Sequence, residues 1–135
     1  MKNLMLLIIF SFLFLEGCAT EVDLQKQGGI PMSTSEIKQK FTENSLVGVT
    51  GSGYQVTWFL RKDGGIIGVN GTGANRNARD SGVWEVTEES GFCTQWTQWG
   101  DGKKQCSKKI YMIGDQIKMC RADGHCSSGG FVGIS

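Results

Sequence analysis

Apolar and polar positions change their spacing twice along the chain. From Leu4 to Leu15 the run is apolar, broken only by Ser11. From Ser33 to Glu43 the apolar residues Ile37 and Phe41 fall on one edge of a helix. Ser33 followed by Glu36 matches a capping box, so one short helix is predicted there. After it the pattern alternates, as half-buried strands do. Strands are predicted over Leu46–Val49, Tyr54–Arg61, Ile66–Asn70, Gly82–Thr87, Phe92–Trp99, Gln105–Ile113, Gln116–Ala122 and Cys126–Ile134. In the second of these, Tyr54, Val56, Trp58 and Leu60 share one face and Gln55, Thr57, Phe59 and Arg61 the other. Tight turns separate the strands, among them Asp63-Gly64-Gly65, Gly100-Asp101-Gly102, Gly114-Asp115 and Asp123-Gly124. The reading is an all-β, antiparallel meander of about eight short strands after one helix, closing into a small barrel or splitting into two packed sheets.

Composition agrees with this. The 135 residues include 20 Gly and one Pro, which favours tight turns and uninterrupted ladders over helix packing. The length suits one domain. The net charge of +1 suggests no nucleic-acid partner.

The first apolar run is shorter than the ~20 residues of a membrane span and fits the core of a signal peptide, residues 1–17. Leu15-Glu16-Gly17-Cys18 resembles a bacterial lipobox, which implies cleavage before Cys18 and diacylation of its thiol. Ala19 after the acylated Cys implies the outer membrane of a Gram-negative cell. Residues 18–32, polar and without periodicity, read as a flexible tether. The domain is then 33–135, in the periplasm or at the cell surface.

Of the 5 Cys, Cys18 is assigned to lipid. Cys93, Cys106, Cys120 and Cys126 are an even set in an exported chain, where disulfides are the default. The pairing Cys93–Cys106 with Cys120–Cys126 is favoured because each pair flanks a turn signal. A Cys106–Cys120 bridge and a zinc site drawing on these thiolates or His125 are the rivals, although the spacings lack paired C-x-x-C knuckles.

The hairpin succession resembles the calycin meander. Three phrases, Leu46-Val47-Gly48-Val49-Thr50, Asp80-Ser81-Gly82-Val83-Trp84 and Cys93-Thr94-Gln95-Trp96 with Cys106 beyond, are together similar to a family of small exported proteobacterial proteins, DUF 995. The resemblance spans roughly residues 35 to 125 and implies an exported β-rich domain without specifying a reaction.

Candidate chemistry is sparse. His125 is the only His, and no nucleophile elbow, zinc-protease or Walker pattern occurs. The Asp residues cluster at turns, where they bond their own backbone. No cofactor, metal or catalytic residue is assigned, and the chain reads as a non-enzyme. The binding candidates are Trp96 and Trp99, which fall on opposite faces of one strand so that one should point outward to stack on a sugar or anchor a protein. Arg76 and Arg79, in a long polar loop suited to gripping a carboxylate or phosphate, are further candidates, as are Lys103 and Lys104 at one hairpin. The expected function is a lipid-anchored domain that binds a protein or envelope partner, as an inhibitor or immunity-like protein does. The alternative is a calycin-like carrier of a small apolar ligand.

Overall fold

The computed structural model describes residues 19–50, 53–127 and 130–134; the signal-peptide and Cys18 assignments lie outside them. The chain is an all-β, antiparallel half-barrel. It comprises α1 (Glu21–Lys26), β1 (Ile30–Pro31), α2 (Thr34–Phe41), β2 (Asn44–Val49), β3 (Gln55–Leu60), β4 (Gly65–Asn70) and β5 (Arg79–Thr87), followed by β6 (Gly91–Trp96), a short 3-10 turn (Trp99–Gly102), β7 (Gln105–Ser107), β8 (Lys109–Ile113), β9 (Gln116–Cys120) and β10 (Gly130–Ile134). One sheet holds all ten strands in the order β1-β8-β9-β10-β2-β3-β4-β5-β6-β7. The meander β2 to β7 is extended on its other side by β10, which pairs with β2 through Gly130↔Val49 and Ile134↔Leu46. The sheet curls until β8 packs against β6.

Register explains the core. Leu46 pairs with Trp58, Trp58 with Gly68 and Gly68 with Asp80, so one row of inward positions crosses four strands. Leu46, Val56, Leu60, Ile66, Val86 and Phe92 are buried on that face. α2 closes one end. Ser33 Oγ accepts from Glu36 N at 3.2 Å and Glu36 Oε2 accepts from Ser33 N at 3.3 Å, the anticipated capping box. Ile37 and Phe41 are buried, and the Phe41 ring meets Phe92 edge-on with centroids 5.4 Å apart.

Three expectations are corrected. Residues 19–32 are no free tether. Thr20 caps α1, Leu24 is buried beside Tyr111, and the Tyr111 hydroxyl donates to Glu21 Oε1 at 3.0 Å and accepts from Gln25 Nε2 at 3.1 Å. Pro31 sits in β1, an edge strand where its missing N–H costs no ladder bond. The long strand expected at Gln105–Ile113 is two strands, which together with β1 raises the count from eight to ten. Gly91, at φ 74°, lies so close to the break that a Cβ there would stand 2.2 Å from Ser107 O and 2.6 Å from Lys108 O. Finally, the strand expected to reach Trp99 ends at Trp96.

Both favoured disulfides are formed. Cys93–Cys106 staples β6 to β7, and Cys120–Cys126 closes the loop after β9.

Candidate functional site

At the end away from α2, the strands β2 to β7 are joined by the loops 50–54, 71–78 and 97–104. A cleft of about 370 Å³ opens there, lined by Tyr54, Trp58, Trp96 and Trp99 and by the amides of Asn70, Asn75 and Gln105. A second hollow of about 380 Å³ shares Trp58 and Gln105 with it.

The aromatic floor is a chain of rings. Trp58 and Trp96 lie with centroids 5.5 Å apart, Trp96 and Trp99 4.9 Å apart, and Trp58 and Phe131 4.8 Å apart. Gly68 makes this possible. A Cβ there would stand 2.4 Å from Trp99 Cζ3 and 2.7 Å from Trp96 Cη2, so only a residue without a side chain admits both indoles. The Trp58 indole N–H is buried and has no acceptor among the described residues. A buried donor left unpaired costs about 1–3 kcal/mol.

Asp80 holds Trp99 over this floor. Its Oδ2 accepts from Gln98 N at 2.8 Å and from Trp99 N at 2.7 Å, and its Oδ1 accepts from Ser81 N at 2.9 Å. Burial opposes the charge, but the donors on Trp99, Gln98 and Ser81 outweigh it and keep the carboxyl below its ordinary range. The turn that ends β6 is therefore built on a carboxylate from the neighbouring strand β5. Loop 71–78 is likewise pinned. Asn70 Oδ1 accepts from Thr72 N at 3.0 Å, and Thr72 Oγ1 accepts from Gln55 N at 3.0 Å.

The predicted binding residues divide. Trp96 is 4% exposed and cannot present a ring to a surface partner. Trp99 does not face away from it, because the chain leaves the strand at Trp96 and turns back, stacking the two indoles on one side. Trp99 is half-buried and lines the cleft. Arg76 is exposed in loop 71–78 between the lining residues Asn75 and Ala78. Arg79 is exposed at the start of β5 and alternates with inward Asp80, which sets it on the outer face. Lys103 is exposed in loop 97–104, whereas Lys104 is paired with Glu85. His125 is an exposed turn residue, its Nδ1 3.4 Å from Asp123 Oδ1.

Sequence reasoning put Tyr54 and Trp58 on one strand face and did not single out Asn70 or Gln105. Tyr54 precedes β3 and is 50% exposed at the mouth. The available signal was Asn70 itself, a polar residue closing an apolar strand at the edge of a long loop.

No family model matches the chain, and neither a curated protein nor a solved structure matches it.

Proposed function

We propose that this chain is an exported, lipid-anchored, non-enzymatic domain that binds an envelope partner at the open mouth of its half-barrel. The carrying observation is the cleft itself, floored by the Trp58, Trp96 and Trp99 rings and edged by the amides of Asn70, Asn75 and Gln105, which suits a ligand group with a flat apolar face and polar edges. Export is supported by the leader-like run and the two disulfides, and anchoring by the lipobox-like Leu15-Glu16-Gly17-Cys18. The resemblance to the DUF 995 family points the same way. The non-enzymatic reading is supported by the lining, which is aromatic and amide, and by Asp80, whose oxygens are occupied by backbone donors. Blocking an enzyme that attacks the envelope is one task of this type, by analogy with other small anchored domains.

The test has two parts. Mass spectrometry of the mature N-terminus is expected to find a diacylated Cys18; an unmodified thiol rejects the anchor. A solubilised envelope component is expected to raise the melting temperature of the wild-type domain and not that of Trp99→Ala or Arg76→Ala. An equal rise in all three rejects the mouth as the site.

The aromatic lining also supports the alternative, a carrier of a small apolar ligand. Solvent extraction of the purified protein separates the two, since a carrier yields a bound apolar molecule near one equivalent.

A further inference from the structure

Ala19, the residue that follows Cys18, is fixed to the domain. Ala19 O accepts from Cys126 N at 2.9 Å, Glu21 N donates to Gly124 O at 3.0 Å, and Thr20 forms an antiparallel bridge with His125. The Cys120–Cys126 disulfide locks the loop that makes these bonds. One peptide step, about 3.8 Å between Cα atoms, separates Cys18 from Ala19. A lipid on Cys18 therefore holds this part of the domain against its leaflet.

Strand direction says which part that is. β2 runs from Leu46 toward the mouth at Val49. β10 is antiparallel to it, and β9 is antiparallel to β10 through Phe131↔Ile117. β9 therefore runs from Gln116 to Cys120 toward the mouth, and the loop 121–126 that grips Ala19 stands at the same end as the cleft. The anchor and the mouth share one end of the half-barrel.

Charge at that end is suited to an anionic surface. Arg76, Arg79 and Lys103 are exposed there and form no ion pair or side-chain hydrogen bond among the described residues. The acids nearby are mostly engaged. Asp80 accepts from three backbone N–H groups, Asp123 pairs with Arg121 at 3.0 Å, Glu21 accepts from Tyr111, and Asp23 caps Thr20. Asp101 alone of the acids in the mouth loops is exposed without such a partner. At the opposite end Glu36 and Glu43 are exposed among lysines, and the β5–β6 turn carries exposed Glu88 and Glu89, whose backbone oxygens accept from Lys108. Two exposed apolar or aromatic side chains add to the mouth-end surface, Val22 at 56% on α1 and Tyr54 at 50% on the rim, and a Tyr ring suits the headgroup layer.

We propose that the mouth end of the half-barrel docks on the bilayer leaflet that carries the anchor, its basic rim on anionic lipid headgroups and its cleft open at headgroup depth. The proposal rests on the anchored-domain reading and names the partner of the same mouth. Each cation held near an anionic leaflet strengthens attachment by about fivefold.

The experiment uses the acylated protein in vesicles of phosphatidylcholine, alone or mixed with phosphatidylglycerol. An environment-sensitive fluorophore is placed by Ala74→Cys in the mouth loop or by Lys62→Cys at the far end. Headgroup-nitroxide lipid is expected to quench the probe at 74 and spare the probe at 62, and a flexible insertion between Cys18 and Ala19 is expected to relieve quenching in phosphatidylcholine alone. Equal quenching at both positions, or stronger quenching at 62, overturns the proposal. The unacylated domain from residue 19 onward provides an independent arm. It is expected to bind the mixed vesicles and not phosphatidylcholine, with binding weaker by at least about 25-fold in Arg76→Glu/Lys103→Glu. Indifference to phosphatidylglycerol, or binding of a protein at the mouth with no vesicle preference, also overturns it. If Cys18 proves unmodified in cells, the anchor reading fails, while the unacylated arm still decides whether the mouth recognises headgroups.

Discussion

Gly68 and Trp99 face each other across the half-barrel, and the space between them has no room for a methyl group: a Cβ on Gly68 would stand 2.4 Å from Trp99 Cζ3. The neighbouring Trp96 ring crowds the same point at 2.7 Å. The mouth is therefore a packed aromatic structure whose geometry depends on one missing side chain in β4. Gly68→Ala is expected to push the indoles apart and to destabilise the domain by about 1–3 kcal/mol. Denaturant unfolding measures the loss. Near-ultraviolet circular dichroism should change with it, because the Trp96–Trp99 pair supplies a coupled aromatic signal. Unchanged stability and an unchanged spectrum would falsify the packing argument.

Asp80 should make the site acid-sensitive. Its folded-state pKa is depressed by the donors on Trp99, Gln98 and Ser81, against the opposing effect of burial. The stabilisation it contributes is present above the unfolded carboxylate pKa of about 3.9 and is lost as pH falls through the lower folded value. Wild-type protein should therefore lose melting temperature below about pH 4 more steeply than Asp80→Ala. At neutral pH, Asp80→Ala leaves three backbone N–H groups without their acceptor and should cost about 2–4 kcal/mol. Asp80→Asn keeps one oxygen for Gln98 and Trp99 but turns an amide NH₂ toward Ser81 N, so its cost should fall between wild type and Ala. Parallel pH profiles for wild type and Asp80→Ala would count against this account.

Much of this architecture is legible in the chain. The Ser33–Glu36 capping box, the alternation in Gln55–Leu60 and the turn glycines are local signals, and local signals are what sequence periodicity carries. The disulfide pairing was legible because each pair flanks its own turn. The misreadings have a common cause in contacts made far along the chain. α1 holds one buried apolar residue, Leu24, and its anchor Tyr111 is 86 residues from Gln25, so no local period marks it. Trp99 was expected to continue a strand, but the carboxylate of Asp80, 19 residues earlier, captures its backbone and turns the chain. The cleft shares this origin, since its lining is assembled from loops and strand ends that only closure of the sheet brings together.

The two disulfides should separate in function though not greatly in energy. Their loops differ modestly, with separations of 13 and 6 residues, so loop-closure entropy gives about 3 and about 2.4 kcal/mol respectively. Removing Cys93–Cys106 frees the edge strand β7. Removing Cys120–Cys126 frees the loop that holds Ala19 and Glu21. Hydrogen exchange in the double Ser variants should show lost protection at Gln105–Ser107 in the first case and at Glu21 and Leu24 in the second. Uniform loss across the domain in both would show that neither bridge acts locally.

Trp58→Phe isolates the unpaired donor from the ring that carries it. The indole N–H bonds to nothing among the described residues, so removing it breaks no hydrogen bond there and relieves a buried unpaired group. The smaller ring gives up some packing against Trp96 and Phe131. These effects oppose each other, and the net change in unfolding free energy should stay within about 1.5 kcal/mol. Ligand binding faces no such offset. A partner that supplies an acceptor to Trp58 would lose one hydrogen bond, and its affinity should fall by about tenfold while the domain stays folded. The comparison requires unfolding curves for the free protein and a titration of whichever envelope component raises the wild-type melting temperature. A large stability loss with unchanged affinity would make Trp58 a core residue and remove it from the site.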